Sequence, residues 1–363
     1  MSRHVTDLAR HLRRQHAPLA VYFAAAYTLL IVHASLSPFT GWRAAPGGVF
    51  AFLGAWPRYV TAFDVAVNVA AYVPFGLLAG YALAKRLRQP DLLVLVAALG
   101  AALSLTMEAL QALLPGRIAS VVDLLANAAG AALGGLAAPW LGQPRFRARA
   151  YALRDALFLQ GRIVDWGLAL LALWLLAQTN PALPLLATWA PEPRLHPAPQ
   201  PFSFLEMLSV LLNAFATGTL IAALLQPARR AWLWLLAFAA AVCAVKWLAA
   251  QWLLKPAAAL DWASREAMLG TGYGLLLAAL AGLARLRAQL RVAGIALAAG
   301  IVLAWTAQPH LASPVTALAA FSWRGGHLLT FTGLTRAVAG IWPWLVLGYL
   351  FLLGRRIGAQ RAP

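Results

Sequence analysis

The stretch that decides the fold runs DVAVNVAAYVPFGLLAGYALA, from Asp64 to Ala84. A helix needs about 20 mostly apolar residues to cross about 30 Å of hydrocarbon, and this stretch is long enough for one crossing. Its polar residues are confined to one end and one face: Asp64 and Asn68 stand four apart, a single helical turn. Working outward with the same ruler, further spans read at 18–37, 91–114, 121–141, 163–180, 204–226, 231–254, 261–283, 292–308 and 333–353. The span at 18–37 is too long for the apolar core of a signal peptide and has no clear A-x-A-like site after it, so it reads as a helix. Arg336 and Pro343 interrupt the start of the last span. The fold class is therefore all-α, a polytopic membrane helical bundle of about ten transmembrane helices.

Composition agrees. Of 363 residues, 62% are hydrophobic and 11% charged, whereas a soluble chain runs nearer 45–50% apolar and about 25% charged. A water-soluble enzyme, a nucleic-acid binder and a disordered scaffold are excluded. The net charge of +18 belongs to loops, because cytoplasmic loops of membrane proteins retain the excess of Lys and Arg. With the N-terminus inside, the inner segments are 1–17, 85–90, 142–162, 227–230, 284–291 and 354–363. They hold roughly two-thirds of all Lys and Arg, as the positive-inside rule asks. Both termini are then cytoplasmic, and 39–60, 115–120 and 181–202 face outward. Arg3, Arg10, Arg13 and Arg14 read as a topogenic, lipid-hugging segment. The one cysteine, Cys243, excludes an intrachain disulfide and a thiolate metal cluster.

Ionisable groups inside membrane spans cost about 2.5–3.5 kcal/mol each on insertion scales, so each needs a reason. Asp64 and Asn68 open the second span, Glu108 and Gln111 close the third, Arg117 lies in the turn Pro115-Gly116-Arg117, and Asp123 and Asn127 open the fourth. Each pair is three or four residues apart and so shares a face. In the orientation above all lie near the outer boundary, which predicts one outward-facing polar site. Pro74 and Gly76 are read as a break in the second helix, since proline frees a carbonyl and kinks. Gly130 and Gly134 form a G-x-x-x-G that, with Ala126, lets a neighbouring backbone approach.

The pattern Asp64-x3-Asn68, Val73-Pro74-Phe75-Gly76, Glu108-x2-Gln111, Arg117-x5-Asp123-x3-Asn127-x2-Gly130-x3-Gly134 resembles the VanZ-like family, and Ser37-Pro38 looks like that family's first-helix ending. The resemblance covers about residues 18–141, and seven polar positions match in order and spacing. It implies a bacterial membrane protein of a family named for low-level resistance to the glycopeptide teicoplanin. It implies no agreed biochemical activity, and so no mechanism.

A second, degenerate copy reads in about 163–283. Ser37-Pro38 pairs with Asn180-Pro181, Asp64 with Glu206 and Gly76 with Gly218, at offsets near 142. At an offset of 138, Glu108 pairs with Lys246, Arg117 with Lys255, Asp123 with Asp261 and Asn127 with Arg265. An even helix number makes the copies parallel repeats, a common plan in membrane proteins; chance alignment between apolar helices is the alternative. The second-copy cluster of Glu206, Lys246, Lys255, Asp261 and Arg265, with Glu266, is expected to neutralise itself, because opposite charges together are much cheaper than lone ones. A basic pocket for a lipid head group is the other reading. The organisation is thus a basic segment 1–17, a four-helix module 18–141, a candidate second module 163–283, a helix pair 292–353 and a basic tail 354–363.

Other features are weaker. His33 has no second His or Cys beside it and reads as a helix contact, so no metal site is expected. Trp42, Trp56, Trp140, Trp189 and Trp323 read as interfacial anchors, and Pro181–Pro201, with Pro191, Pro193, Pro197 and Pro199, as a stiff outer loop.

Three classes of function fit. The first binds or modifies an amphiphilic envelope component, either a lipid-linked cell-wall intermediate or a lipophilic glycopeptide, at the outer leaflet of the bacterial inner membrane. The second is a proton-coupled lipid transporter or flippase, because carboxylates in a bundle serve proton relays. The third is a membrane-embedded enzyme, with Asp64, Glu108 and Asp123 sharing acid–base roles or holding a hard cation and Arg117 steadying a phosphate. Against the third, no nucleophile stands beside a base and no Walker, zincin or glycine-rich motif appears. The expected partner is a membrane lipid or other amphiphile; no cofactor and no nucleic acid are expected, and the oligomeric state stays open.

Overall fold

The computed structural model describes residues 21, 23–36, 39, 41–58, 60–84, 87–115, 117–188, 201–226, 230–306, 320–322 and 326–359. The basic segment 1–17, Ser37-Pro38, Gly116, Trp189, Pro191, Pro193, Pro197, Pro199 and Trp323 lie outside the described residues. Every apolar span coincides with a helix: α1 (Phe23–Leu36), α2 (Ala62–Leu83), α3 (Gln89–Gln111) and α4 (Val121–Leu141). After α5 (Pro144–Leu157) come α6 (Arg162–Gln178), α7 (Phe204–Leu224), α8 (Ala231–Leu253), α9 (Arg265–Ala281), α10 (Leu286–Thr306) and α11 (Gly326–Ala359). Among the described residues, seven helices are long and apolar enough to cross a membrane, which makes this a multi-pass membrane protein. The exceptions are α1, the arginine-bearing α5, and α6 and α9, which at 17 residues each reach only about 26 Å.

Three details differ from the sequence reading. The segment 142–162 is not a simple loop, because α5 occupies most of it. Helix α2 runs unbroken through Pro74; the missing N–H leaves the Ala70 carbonyl without its usual donor, and beside it the Tyr27 hydroxyl donates to the Ala71 carbonyl at 2.9 Å. The last helix extends to Ala359, so the start of the basic tail is helical, with the Arg355 guanidinium 5.9 Å from the centroid of the Phe351 ring.

The chain forms two compact units, residues 1–151 and 152–363. In the first, α2 and α4 pack most closely and α3 lies against α4. A methyl at Gly130 would meet the Val69 carbonyl oxygen, one at Gly134 the Val73 oxygen, and one at Gly76 the Ala131 oxygen, so only glycine permits this approach. Ile31, Leu36, Tyr72, Phe75, Met107 and Leu114 form the core beside them. Val94 and Leu99 on α3 and Leu125, Leu133 and Leu136 on α4 are exposed, as suits helices whose surroundings are hydrocarbon.

In the second unit α7 is the central helix, packed on α9 and α10, while α11 lies against α6 and α10. Trp174 stacks on Trp342 with ring centroids 4.4 Å apart, and the Trp342 indole donates to the Leu170 carbonyl at 2.8 Å. The C-terminal helix pair is thus part of this unit. Helix α8 presents Trp232, Leu236, Trp247, Leu248 and Trp252 outward.

Candidate functional site

The ends of α1, α3 and α4 meet at one end of the first unit. Helix α4 starts at Ser120, whose hydroxyl accepts from the backbone of Val122 (3.2 Å) and Asp123 (3.4 Å). The Ser120 N–H itself donates to the Glu108 carboxylate at 2.9 Å. Glu108, only 3% exposed, therefore crosses from the last turn of α3 to cap α4, where the helix dipole favours negative charge. Asp123 stands in the first turn of α4, within electrostatic reach of Glu108.

The opposite charge serves the opposite kind of helix end. Gln111 Nε2 donates to the Ser35 carbonyl at 3.1 Å and Arg117 Nη2 to the Ala34 carbonyl at 3.3 Å, so both satisfy the C-terminal turn of α1. Burial lowers the pKa of the Arg117 guanidinium below its ordinary value, and the Glu108 carboxylate opposes the shift. Carboxylate, guanidinium and amide thus tie three helix ends together. Asp64 makes a capping box with Thr61 at the start of α2: its carboxylate accepts from the Thr61 hydroxyl at 2.7 Å and N–H at 3.3 Å, and its own N–H donates back at 3.1 Å.

One turn deeper the chemistry changes from charged to neutral. Asn127 Nδ2 donates to the Ser104 hydroxyl at 2.9 Å. Its Oδ1, the Nδ2 of Asn68 and the Tyr72 hydroxyl are buried with no hydrogen-bond partner. Tyr72 lies beside Ser104 and within electrostatic reach of Glu108. The sequence reading passed over Ser104 and Tyr72. The available signal was spacing: Ser104 is one turn below Glu108, and Tyr72 one turn below Asn68.

The second-copy residues take other roles. The Glu206 carboxylate accepts from the Ser264 hydroxyl at 2.7 Å, and the Glu266 carboxylate from the Ser203 N–H at 3.2 Å. Ser203 and Ser264 are the N-caps of α7 and α9, so each acid serves the neighbouring helix's start. Lys246, wholly buried, donates to the carbonyls of Asn180 (3.0 Å) and Leu183 (2.8 Å). Its ammonium is held by the turn after α6, and not by a carboxylate as the mixed-cluster reading expected. Lys255 bonds through its backbone to Ala320, Asp261 opens a short 3-10 helix and Arg265 opens α9. Pairing the two units by their helix ends gives a different register. From Gln89–Gln111 to Ala231–Leu253 is a spacing of 142 residues, which sets Lys246 against Ser104 and not Glu108. The capping serines Ser120 and Ser264 set Asp261 and Arg265 ahead of the positions of Asp123 and Asn127. Among the described residues, no group of three His, Cys, Asp or Glu side chains is placed to hold a metal ion.

Residues 14–142 match the model of the VanZ/LLP1 family. The matched region spans α1 to α4, so the first unit carries a VanZ-type domain. No curated protein and no solved structure matches the chain.

Proposed function

We propose that the VanZ-type unit binds or modifies an amphiphilic component of the bacterial envelope at an outward-facing acidic site in the inner membrane, with both termini cytoplasmic. The observation that carries this reading is the buried Glu108 carboxylate at the junction of three helix ends. It lies within electrostatic reach of Asp123 and Arg117, near the ends of apolar helices. Charge in an apolar span is costly unless paired, and here carboxylates and a guanidinium from different elements come together at one end of the unit, a polar cluster bordered by apolar helix faces. The distribution of Lys and Arg over the loops supports the orientation.

The test is a strain lacking the protein, complemented with Glu108→Gln, Asp123→Asn and the double variant, scored for membrane levels and for survival under a lipoglycopeptide or another envelope stress. Loss of protection at normal protein levels is the expected result. Full protection by all three variants makes the cluster a capping device only and ends this reading.

A further inference from the structure

Helix α5 (Pro144–Leu157) is too short to cross a bilayer, and it carries Arg145, Arg147, Arg149 and Arg154 against a single acid, Asp155. Among the described residues no other helix packs along it, and none of its described side chains is buried. Its ends are nonetheless tied down. Gly142 and Gln143 alone separate it from the spanning helix α4, and the Phe146 ring lies 4.5 Å from that of Trp140, an exposed tryptophan in the last turn of α4. At the other end the Gln226 N–H donates to the Leu157 carbonyl at 2.9 Å, and the Leu159 N–H to the Leu224 carbonyl at 2.8 Å. The chain leaving α5 thus pairs with the chain leaving the spanning helix α7. Each end of α5 sits where a membrane helix finishes, the level of lipid head groups and of interfacial aromatic rings.

The pattern on the helix narrows what meets it there. Phe146, Leu153 and Leu157, at i, i+7 and i+11, share one face; Leu153 is 64% exposed and the other two partly so. Arg145 and Arg149, one turn apart and both exposed, flank that stripe, while Arg154 is engaged by Asp155 at 2.6 Å and Asp165 at 2.7 Å. A soluble acidic partner would satisfy the arginines but not an apolar stripe held at the edge of a bilayer. A lipid surface takes both. The stripe sinks among the head groups to the top of the acyl chains, still within reach of water-borne reagents, and the arginine stems lie along it with their guanidinium groups among phosphates. We propose that α5 is an interfacial helix that docks on the bilayer surface and takes the head groups of anionic phospholipids through Arg145 and Arg149. This surface lies at the opposite end of α4 from Glu108 and outside the residues matched to the VanZ/LLP1 model, so it does not depend on what the acidic site binds.

The experiment uses the full chain in a Cys243→Ser background, carrying either Leu153→Cys on the stripe or Ala148→Cys on the opposite face. Each is labelled in detergent with an environment-sensitive fluorophore. It is then reconstituted into vesicles of phosphatidylcholine, alone or mixed with phosphatidylglycerol, with some lipid spin-labelled high on its acyl chain. In the anionic vesicles the Leu153→Cys probe should shift to the blue and be quenched by the spin label, and the Ala148→Cys probe should do neither. Adding Arg145→Gln and Arg149→Gln together should cut the ratio of docked to free helix on the order of tenfold, since each basic residue beside an anionic surface adds to its attraction. The melting temperature in detergent should not change. High salt should weaken docking of the parent protein in the same way, because it screens exposed charges. Equal quenching at the two positions overturns the interfacial helix. So does a Leu153→Cys probe that stays unquenched in both vesicles, the result a soluble partner would give. Quenching in pure phosphatidylcholine that neither phosphatidylglycerol nor loss of both arginines alters overturns the anionic head-group contact.

Discussion

A helix that ends within a bilayer leaves N–H or C=O groups without intrahelical partners and without water to take them. Glu108 answers that need at the start of α4 and Lys246 at the turn after α6. The two residues can therefore be separated into charge and hydrogen bond. Glu108→Gln still presents an acceptor to Ser120, so its melting temperature should stay close to wild type, whereas Glu108→Leu should lose about 1–3 kcal/mol. Lys246→Met keeps the volume but strands two carbonyls, and thermal unfolding in detergent should show a loss of similar size. If Lys246→Met melts with wild type, those carbonyls are satisfied some other way and the capping role fails. Legibility in the sequence follows the same chemistry. Glu108, Gln111 and Arg117 stand out because ionic and amide groups are rare in apolar spans. Ser104 and Tyr72 do not, since either type is tolerated on any helix face, and only the packing of α3 against α4 makes Ser104 buried.

At the level of elements, apolar run length located each membrane helix. It could not reveal α5, whose arginines and 14-residue length are those of a loop on a hydropathy scale. For α8 and α9, pairing with the first unit by charged residues and pairing by helix ends disagree. The α2–α4 crossing gives a sharper test of which glycines the fold requires. A Cβ at Gly134 meets the backbone of Val73 and Leu77, whereas one at Gly272 on α9 meets nothing within 4 Å. Gly134→Ala should drive the two helices apart and cost more than about 2 kcal/mol, in the range of overpacked cores. Gly272→Ala should be neutral or slightly stabilising, because alanine is the better helix former. Thermal unfolding of the two single variants, side by side, decides it. Equal stability would mean that α2 and α4 are not held by this glycine contact.

Across the whole molecule, orientation follows from the way basic residues alternate between successive loops, and it fixes whether the site of the first unit opens to the envelope or to the cytoplasm. The helix ends that carry Glu108, Gln111, Arg117 and Asp123 share one end of that unit, while α5 follows the opposite end of α4. A label that reaches one end should therefore not reach the other. Ile118, 87% exposed beside Arg117, and Leu153, 64% exposed on α5, report the two ends without disturbing a capping residue. In a Cys243→Ser background, Ile118→Cys should react with a membrane-impermeant maleimide added to intact spheroplasts. Leu153→Cys should react only after the membrane is opened. The physical basis is the retention of Arg-rich segments on the cytoplasmic side, and 142–162 is one such segment, with Arg145, Arg149 and Arg154 among its residues. Reaction of Leu153→Cys from outside, with Ile118→Cys protected until lysis, would invert the protein. The acidic cluster would then face the cytoplasm, and an envelope ligand would have no route to it from the outer leaflet.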